Sequence, residues 1–440
     1  MKQLISYLSK LVTDVVKIIT SRERLEAILH VPLYTNSLYL MLNSGVVAVL
    51  GFVFWLAATR FYTAEDVGLA SAAISAIQLL SLLALLGLNF SLIRFLSGSD
   101  EKSNDLINSC LTIGSLASLV AAVIFLLGVS VWSPALVFIQ QNGIYFASFI
   151  IFTIATTILA LLNHTFIAER RSGFVLGQNT TISLLKIGLL ILLAMFFNAF
   201  GIFASWGLAV VVVVVIGVAL LLPRVHAGYH PSPTIRKQLI NEIFHFSFIN
   251  YISDLLWSTP TLILPLIVVN LLGAEQNAYF YIAWTVGGIL VAYSRAISLS
   301  LFAEGSYDEE QLASNVRRSI KFTLVLLLPA ILLLLLVGDK LLLVFGQDYS
   351  QNGTRLLWLM AISALPVSVN FIYLSVRRVE NRLRGIIGLP AFVMAATLAL
   401  SYVLLPRLGL PGAGIAWLSA HGVAALAVIA SWLRTKRGTT

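Results

Sequence analysis

Three ionisable side chains lie inside long apolar runs of this 440-residue chain. Lys186 lies in "TTISLLKIGLLILLAMF" (180–196), Asp254 in "INYISDLLW" (249–257) and Arg295 in "VAYSRAISLS" (291–300). A charged side chain at the centre of a lipid bilayer costs about 2.5–3.5 kcal/mol on insertion scales, so such residues mark function by default. Ammonium and guanidinium groups pair with phosphate or carboxylate. The candidate chemistry is therefore the binding of an anion within a membrane.

The composition indicates which elements must position these charges. Of the residues, 59% are hydrophobic and 11% are charged, whereas a soluble domain carries about a quarter charged residues. A hydrocarbon layer about 30 Å thick needs roughly 20 apolar residues in a helix. The sequence has twelve such stretches and predicts an all-α polytopic membrane protein. They are 36–58, 68–96, 106–132, 144–168, 174–197, 201–223, 241–270, 278–304, 319–338, 354–376, 385–405 and 412–434.

The positions of lysine and arginine predict the orientation of the chain. Cytoplasmic loops of membrane proteins are enriched in these residues. With the N-terminus inside, 22 of the 28 lie in predicted cytoplasmic segments and 4 in outer segments. We therefore expect a multi-pass protein of the cell (cytoplasmic) membrane with both termini cytoplasmic. The same distribution accounts for the net charge of +9 without a nucleic-acid partner.

Residues 1–35 form a predicted cytoplasmic amphipathic segment. Leu4, Leu8 and Leu11 share one helical face and lysines punctuate the other, a pattern typical of a helix lying on anionic membrane lipids. A helix that binds a protein partner is the alternative. The single cysteine, Cys110, excludes an intramolecular disulfide, and the six histidines have no metal-ligand spacing. No metal or cofactor is expected.

An internal repeat organises the spans. "AEDVGLASAA" (64–73) matches "AEQNAYFYIA" (274–283) at an offset of 210 residues, and polar and turn residues in other loops keep an offset of 210 or 211. Six spans per copy return the chain to the same side, so the copies are parallel repeats. The predicted division is a six-helix lobe (36–223), a cytoplasmic linker (224–240), a second six-helix lobe (241–434) and a tail (435–440), with a central cavity between the lobes.

Three segments carry a resemblance to a known family: "LGAEQNAYFYIAW" (272–284), "SLFAEGSYDEE" (300–310) and "LLLVFGQDYSQNGTRLLWLMAISALP" (341–366). Over residues 36–434 the chain resembles the Wzx-like oligosaccharide flippases, the polysaccharide-transporter branch of the multidrug/oligosaccharidyl-lipid/polysaccharide exporter superfamily. The resemblance implies two lobes in a V that move a lipid-linked sugar from the inner to the outer leaflet. The family offers no fixed binding motif, so the site must be predicted from this chain's own residues.

The depth and sign of the buried charges favour an anionic substrate. Lys186 lies roughly 18 Å from its helix end, too deep for its ammonium to reach the headgroups. It is either bonded within its own bundle or facing a water-filled cavity. Asp254 and Arg295 have matching depths on consecutive spans, so they can pair. The pair is either structural or one that opens in the cavity during transport. The first six spans contain no embedded carboxylate, which a drug-cation antiporter would need.

Asparagines within the spans are further candidates. Asn43, Asn89 and Asn250 can bond neighbouring helices or hold sugar hydroxyls, and the sequence alone leaves both alternatives open.

The sequence therefore predicts a flippase, not an enzyme, for an oligosaccharide linked to a (poly)isoprenyl phosphate or pyrophosphate, used in surface polysaccharide or glycan assembly. Lys186 and Arg295 would meet the phosphate, and Asp254 would hold Arg295 or take up a coupling cation, H⁺ or Na⁺. The rivals are an integral-membrane glycosyltransferase or polymerase, and another secondary transporter. We expect a monomeric transporter that works with glycan assembly enzymes.

Overall fold

The computed structural model describes residues 32–96, 101–226, 228–235, 237–307, 312–380 and 383–437. The predicted cytoplasmic segment 1–35 lies almost entirely outside the described residues, as do the last three residues of the predicted tail. Twelve long helices dominate the described part. They are α1 (Pro32–Phe61), α2 (Ala64–Ala84), α3 (Glu101–Leu127), α4 (Gly143–Ala168), α5 (Ser172–Leu193), α6 (Ala199–Ile216), α7 (Lys237–Leu272), α8 (Ala274–Tyr307), α9 (Leu312–Leu343), α10 (Gln347–Val379), α11 (Leu383–Leu408) and α12 (Leu410–Arg437).

The twelve predicted spans are confirmed. Each of the twelve long helices is long and apolar enough to cross a membrane, and each predicted stretch overlaps one of them. Since an even number of crossings joined by short links returns the chain to its starting side, residues 32 and 437 lie on one side, called here the termini side. The connections after α1, α7 and α9 lie on the other side, called here the far side. The chain is a multi-pass membrane protein.

The second span differs from its prediction. The stretch 68–96 was expected to be one helix, but α2 ends at Ala84 and a separate helix runs from Leu88 to Phe95. Leu86 (φ 49°) and Gly87 (φ 85°) both adopt left-handed backbone conformations between the two helices. Two consecutive left-handed residues cannot continue a right-handed helix, and glycine tolerates this geometry without a Cβ clash. The prediction of a continuous span is wrong at its termini-side end.

Local sequence signals explain where the far-side helices begin. The side-chain hydroxyl of Thr63 accepts a hydrogen bond from the backbone N–H of Asp66 (3.1 Å), and the Asp66 carboxylate accepts one from the backbone N–H of Thr63 (3.4 Å). This reciprocal pair is a capping box that starts α2. Asn142 starts α4 in a related way, because its side-chain oxygen accepts from the N–H groups of Ile144 and Tyr145.

The six N-terminal and the six C-terminal spans pack in the same internal pattern. In the N-terminal half (36–223), α4 contacts α2, α3 and α6, and α5 contacts α1 and α6. In the C-terminal half (241–434), α10 contacts α8, α9 and α12, and α11 contacts α7 and α12. Each pair in one half has its counterpart six spans later in the other. This order is compatible with a parallel six-helix repeat.

The two halves meet along a narrow seam. The long helices that pack extensively across it are α2 from the N-terminal half with α7 and α8 from the C-terminal half. The largest buried apolar cluster continues through this seam and includes side chains of both halves. A seam built from so few helices leaves room for a cavity beside it.

Candidate functional site: a cavity between the halves

A cavity of about 510 Å³ lies between the two halves, formed by α2, α4, α7, α8, α10 and α12. The N-terminal half contributes uncharged polar side chains and aliphatic ones, among them Gln78, Ser81 and Thr156. The C-terminal half contributes aromatic side chains, two hydroxyl groups and one charge, Arg295. The site therefore has neutral hydrogen-bonding groups on both walls, and its rings and guanidinium lie on the C-terminal wall.

The charged end of the site is built by α7, α8 and α10. Nη2 of Arg295 donates to Oδ1 of Asp254 at 3.2 Å, so the predicted proximity of the two residues is observed. Both side chains, together with Arg378, line a smaller cavity of about 110 Å³ that shares Trp257, Arg295 and Phe371 with the larger one. The Arg295 side chain is 59% exposed and that of Asp254 29%. A polar molecule in the cavity can therefore reach both charges.

Arg378 is a site residue that the sequence did not reveal. It lies in the last turn of α10, and the positive-inside distribution placed it in a cytoplasmic loop. In the structure its Nε is buried without a hydrogen-bond partner, and the side chain lines the same small cavity as Asp254. The signal was the pair of consecutive arginines at a helix end, of which one can face inward. Two guanidiniums around one carboxylate leave an excess of positive charge.

The aromatic end of the site is built by α7, α8, α10 and α12. Trp257, Trp284, Trp417 and Phe371 all line the larger cavity. The rings contact one another, since the centroids of Trp284 and Trp417 are 5.2 Å apart and those of Trp257 and Phe371 are 4.4 Å apart. Such edge-to-face and tilted arrangements hold each ring in place. Trp257 is half-buried, whereas Trp284 and Trp417 are almost fully buried.

His421 supports this aromatic wall from behind. Its ring is fully buried, and its centroid lies 4.3 Å from that of Trp417 and 5.4 Å from that of Trp257. Nδ2 of Asn370 lies 3.1 Å from both Nδ1 and the backbone oxygen of His421. These contacts make His421 a fixed part of the bundle.

The far side of the cavity is closed where α2 and α8 begin. Nδ2 of Asn277 donates to the backbone oxygen of Gly68 (2.8 Å) and to Oγ of Ser71 (3.2 Å). Asn277 is fully buried. A Cβ at Gly68 would overlap the carbonyl oxygen of Ala274, so the two backbones approach too closely for any other residue. The segments related by the internal repeat are therefore the ones that press against each other.

Further contacts close the far side. Nη2 of Arg60 donates to the backbone oxygen of Val344 across the seam at 2.7 Å, and Oδ1 of Asn270 accepts from the N–H of Ala135 at 3.2 Å. Two aromatic pairs also join the halves near this side: Trp55 with Tyr281 and Phe52 with Phe345. On the termini side, the hydroxyl of Tyr251 donates to the backbone oxygen of Leu83 (2.9 Å). The far side thus has the larger set of cross-seam contacts among the described residues.

Lys186 lies away from this cavity. It is half-buried on α5, and its Nζ lies 4.9 Å from the centroid of the Phe54 ring on α1. The residues around either cavity described above do not include it. A cation over an aromatic face gains about 0.5–2 kcal/mol, less than the insertion cost of the charge. The structure therefore brings Asp254 and Arg295 together and leaves Lys186 apart from them.

The three predicted asparagines also differ in placement. Oδ1 of Asn43 accepts from Nδ2 of Asn179 at 3.0 Å, which ties α1 to α5 within the N-terminal half. Asn89 is buried in the short helix after α2, and its Oδ1 has no hydrogen-bond partner. Asn250 is half-buried on α7, four residues before Asp254. None of the three lines the cavity of about 510 Å³.

Metal-binding groups are sparse around these residues. In the ranges that the structure describes, no group of three or more His, Cys, Asp or Glu side chains could hold a metal ion. Among the described residues that line the two cavities, Asp254 is the one carboxylate. A single carboxylate between two arginines can hold a guanidinium or exchange a proton, but it is a poor ligand set for a resident divalent ion.

Comparison with known families decides where the chain belongs. Residues 33–307 match the family described as "Polysaccharide biosynthesis protein", which is more than half of the chain. The chain belongs to this family. No protein of curated function matches the sequence. The match covers the whole N-terminal half and reaches α8, so it includes Asp254 and Arg295.

Solved structures share the fold at low sequence identity. "Lipid II flippase MurJ, inward closed conformation" aligns with a TM-score of 0.74 at 10% identity, covering 90% of this chain and 87% of that one. An outward-facing multidrug resistance MATE family transporter aligns with a TM-score of 0.64 at 15% identity, covering 93% and 96%. A transporter from Pyrococcus furiosus, described as having a binding pocket of reverse polarity, aligns with a TM-score of 0.61 at 14% identity, covering 92% and 96%.

These comparisons confirm the resemblance predicted from the sequence. The structural neighbours are members of the multidrug/oligosaccharidyl-lipid/polysaccharide superfamily, and the family match is to polysaccharide biosynthesis. The fold is shared with solved transporters, and in this chain it supplies a cavity between two halves.

Proposed function

We propose that this polysaccharide biosynthesis protein is a flippase that moves an oligosaccharide linked to a (poly)isoprenyl phosphate or pyrophosphate from the inner to the outer leaflet. The observation that carries the proposal is the cationic cluster of Arg295 and Arg378 around Asp254, in a cavity between the halves. A polysaccharide family needs its intermediates carried across the membrane, and a cationic cavity suits a phosphate.

The cluster has a specific electrostatic logic. Asp254 neutralises one of the two guanidiniums, so the site without substrate has a net charge of about +1. Without Asp254 the net charge would be about +2, which costs more within a membrane. An arriving phosphate can pair with Arg295 and Arg378, since a planar guanidinium binds phosphate bidentately. Asp254 is then displaced from Arg295 and can take up a proton or Na⁺, which would couple transport to an ion gradient. The sequence hypothesis that Lys186 also meets the phosphate stays a prediction, because Lys186 lies outside both cavities, and the proposal assigns the phosphate to Arg295 and Arg378.

The two rival functions fit the described structure less well than a flippase does. A membrane glycosyltransferase or polymerase needs an active site beside the bilayer, yet the described far-side connections between long helices are short. A transporter of cationic drugs needs embedded acid, and the described cavity holds one carboxylate flanked by two arginines. A transporter of cationic drugs would leave the cationic cluster without a role.

The decisive experiment follows lipid-linked oligosaccharides by leaflet in a strain lacking the gene. We expect completed intermediates to accumulate in the inner leaflet of this strain. Reintroduced wild-type protein should restore their appearance in the outer leaflet, and Arg295→Gln should not. Arg355→Gln is the matched control, because Arg355 is exposed at the far-side end of α10. Truncated glycans in the deletion strain would point to an enzyme and contradict the proposal.

The orientation is part of the proposal and has its own test. We place both termini in the cytoplasm, so the far side faces outward, and we expect a monomer that receives its substrate from glycan assembly enzymes. A cysteine at exposed Asn352 should react with an impermeant thiol reagent added to intact cells, and one at exposed Ile235 should not. Native Cys110 is buried and gives little background. Labelling at Ile235 alone would reverse the orientation.

A further inference from the structure

The aromatic wall has properties that the proposed phosphate site does not use. Trp257, Trp284 and Trp417 come from three different helices and line one cavity, opposite Gln78 and Ser81. Aromatic side chains at a helix interface ordinarily fill space, and the burial of Trp284 and Trp417 fits that role. Trp257 differs because it is half-buried and borders both the large and the small cavity. Its ring therefore offers a face to whatever occupies the site.

A second observation points to a polar occupant at this wall. Nε1 of Trp417 is buried and has no hydrogen-bond partner, although the residue lines the cavity. An indole N–H is a donor only, and buried donors in folded proteins are almost always satisfied. Across the cavity, Gln78, Ser81 and Thr156 carry amide and hydroxyl groups. A ligand here would meet an aromatic face on one side and donors and acceptors around it.

Sugars have the matching chemistry. One face of a pyranose ring presents C–H groups, which pack on the electron-rich face of an aromatic ring by dispersion and weak electrostatic attraction. The hydroxyl groups project from the rim and need hydrogen-bonding partners. Lipid tails would not use the polar wall, and a second phosphate would not use the rings. The combination of rings, amide and hydroxyls fits a carbohydrate.

The geometry also fixes which sugar this would be. In a lipid-linked oligosaccharide the first sugar is bonded directly to the phosphate, and in the cavity Trp257 lies beside the cationic cluster, since it borders the same small space as Asp254 and Arg378. A volume of 510 Å³ equals about 17 water molecules at roughly 30 Å³ each, enough for one or two sugar rings and too little for a long glycan.

We propose that Trp257, beside Trp284 and Trp417 in the same cavity, is the subsite for the lipid-proximal sugar. The sugar ring stacks on the Trp257 indole while its hydroxyls meet Gln78, Ser81 and the N–H of Trp417. The inference rests on the proposed flippase function and adds to it a specificity for the first sugar after the phosphate. Sugars further along the glycan are then selected weakly.

The test compares a probe without sugar and probes with one. Geranyl diphosphate and its glucosyl, galactosyl and N-acetylglucosaminyl derivatives are titrated against the purified protein in lipid nanodiscs. We expect at least one sugar-bearing probe to bind wild type about tenfold more tightly than geranyl diphosphate. Trp257→Leu should remove most of that difference while changing the affinity for geranyl diphosphate less than twofold. Trp257→Phe should retain part of it.

Two controls separate the roles of the residues. Trp358→Leu, the same change at an exposed tryptophan on α10, should alter neither affinity. Arg295→Gln should weaken every probe equally. The melting temperature is recorded for each variant. If Trp257→Leu does not fold, protection of a cysteine at Ser258 from thiol reagent replaces it, and the sugar-bearing probe should protect more than geranyl diphosphate.

The outcomes distinguish the two proposals. If geranyl diphosphate binds and no sugar improves its binding or its protection of the cysteine, the sugar subsite is wrong and the phosphate site stands. If Trp257→Leu loses affinity equally for geranyl diphosphate and for the sugar-bearing probes, the subsite is also overturned. The tryptophan would then act on the phosphate end or on folding. If no probe binds wild type, the proposed function fails together with the inference.

Discussion

The two halves of the molecule place their membrane-embedded cations differently. In the N-terminal half, Lys186 lies between α5 and α1 with its ammonium over the Phe54 ring. In the C-terminal half, Arg295 lies on α8 at the seam, in contact with Asp254. Both residues are deep within their spans in the sequence. The difference teaches that depth along a helix and position around the helix are separate properties, and that only the second decides which cation can meet a substrate.

The internal repeat sharpens this comparison. At the 210-residue offset, Arg295 corresponds to Leu85, and both residues line the cavity. These two matched positions, Leu85 just after α2 and Arg295 on α8, therefore both border the site, and the second carries the charge. In the N-terminal half, Asn43 makes a neutral hydrogen bond to Asn179, whereas in the C-terminal half Asp254 forms an ion pair with Arg295.

The largest expected effect contrasts the two cations directly. Arg295→Gln should reduce glycan export per folded molecule about 10- to 100-fold, because a charge-assisted bond to phosphate contributes about 1.5–3 kcal/mol. Lys186→Met should reduce export less than about threefold, since the lost contact with Phe54 is offset by removal of an embedded charge. Export is measured together with protein level and melting temperature for both variants. Equal loss at both positions without loss of folding would place Lys186 in the transport path.

The contact between the halves on the far side should show the next largest effect. Gly68→Ala puts a methyl group into the carbonyl oxygen of Ala274, so α2 and α8 must separate and the hydrogen bonds of Asn277 to Gly68 and Ser71 are strained. We expect a cysteine at Ser71 to react with thiol reagent at least several times faster in this background. Gly188→Ala is the control, because a Cβ there meets nothing within 4 Å. An unchanged rate would mean that the helices already part freely.

A smaller effect, on folded stability, is expected when the Asp254 carboxylate is removed. Asp254→Asn leaves Arg295 without its ion-pair partner and leaves Arg378 in a small cavity without a carboxylate. It should lower the folded stability by about 1 kcal/mol, below the value for a fully buried pair because Arg295 is 59% exposed. Arg295→Gln should cost less, because Arg378 still faces Asp254. The double variant should be more stable than the sum of the two single effects predicts. Strict additivity in thermal melting would show that the charges do not interact.

The smallest effect is expected in the N-terminal half. Asn43→Leu removes the hydrogen bond to Asn179, and such bonds between membrane helices average about 0.6 kcal/mol. The melting temperature should fall slightly and export should be retained, since this pair is remote from the cavity. Asn179→Leu is the matched variant and should behave alike. A large loss of export with normal folding would return Asn43 to the sugar-binding role that the sequence left open.

Periodicity and hydrophobicity predicted much of the fold because the bilayer imposes one length on every span. The sequence could not show the interruption at Leu86 and Gly87, since local backbone geometry overrides an apolar run. It placed Asp254 and Arg295 together from matching depth on consecutive helices. It assigned Lys186 to the same site because depth alone carries no information on which neighbour a helix face meets. Arg378 was missed because charge counting treats a helix end as a loop.

The close contact between Gly68 and Ala274 matters for the electrical potential across the membrane. A membrane that stores an electrical potential releases about 2.3 kcal/mol for each unit charge that crosses 100 mV, and any continuous file of water through a carrier would dissipate it. Two backbones in contact, with a buried asparagine bonded between them, leave no room for such a file on this side. In the proposed flippase, this contact would hold ions back on the far side while the cavity between the halves stays accessible from the termini side.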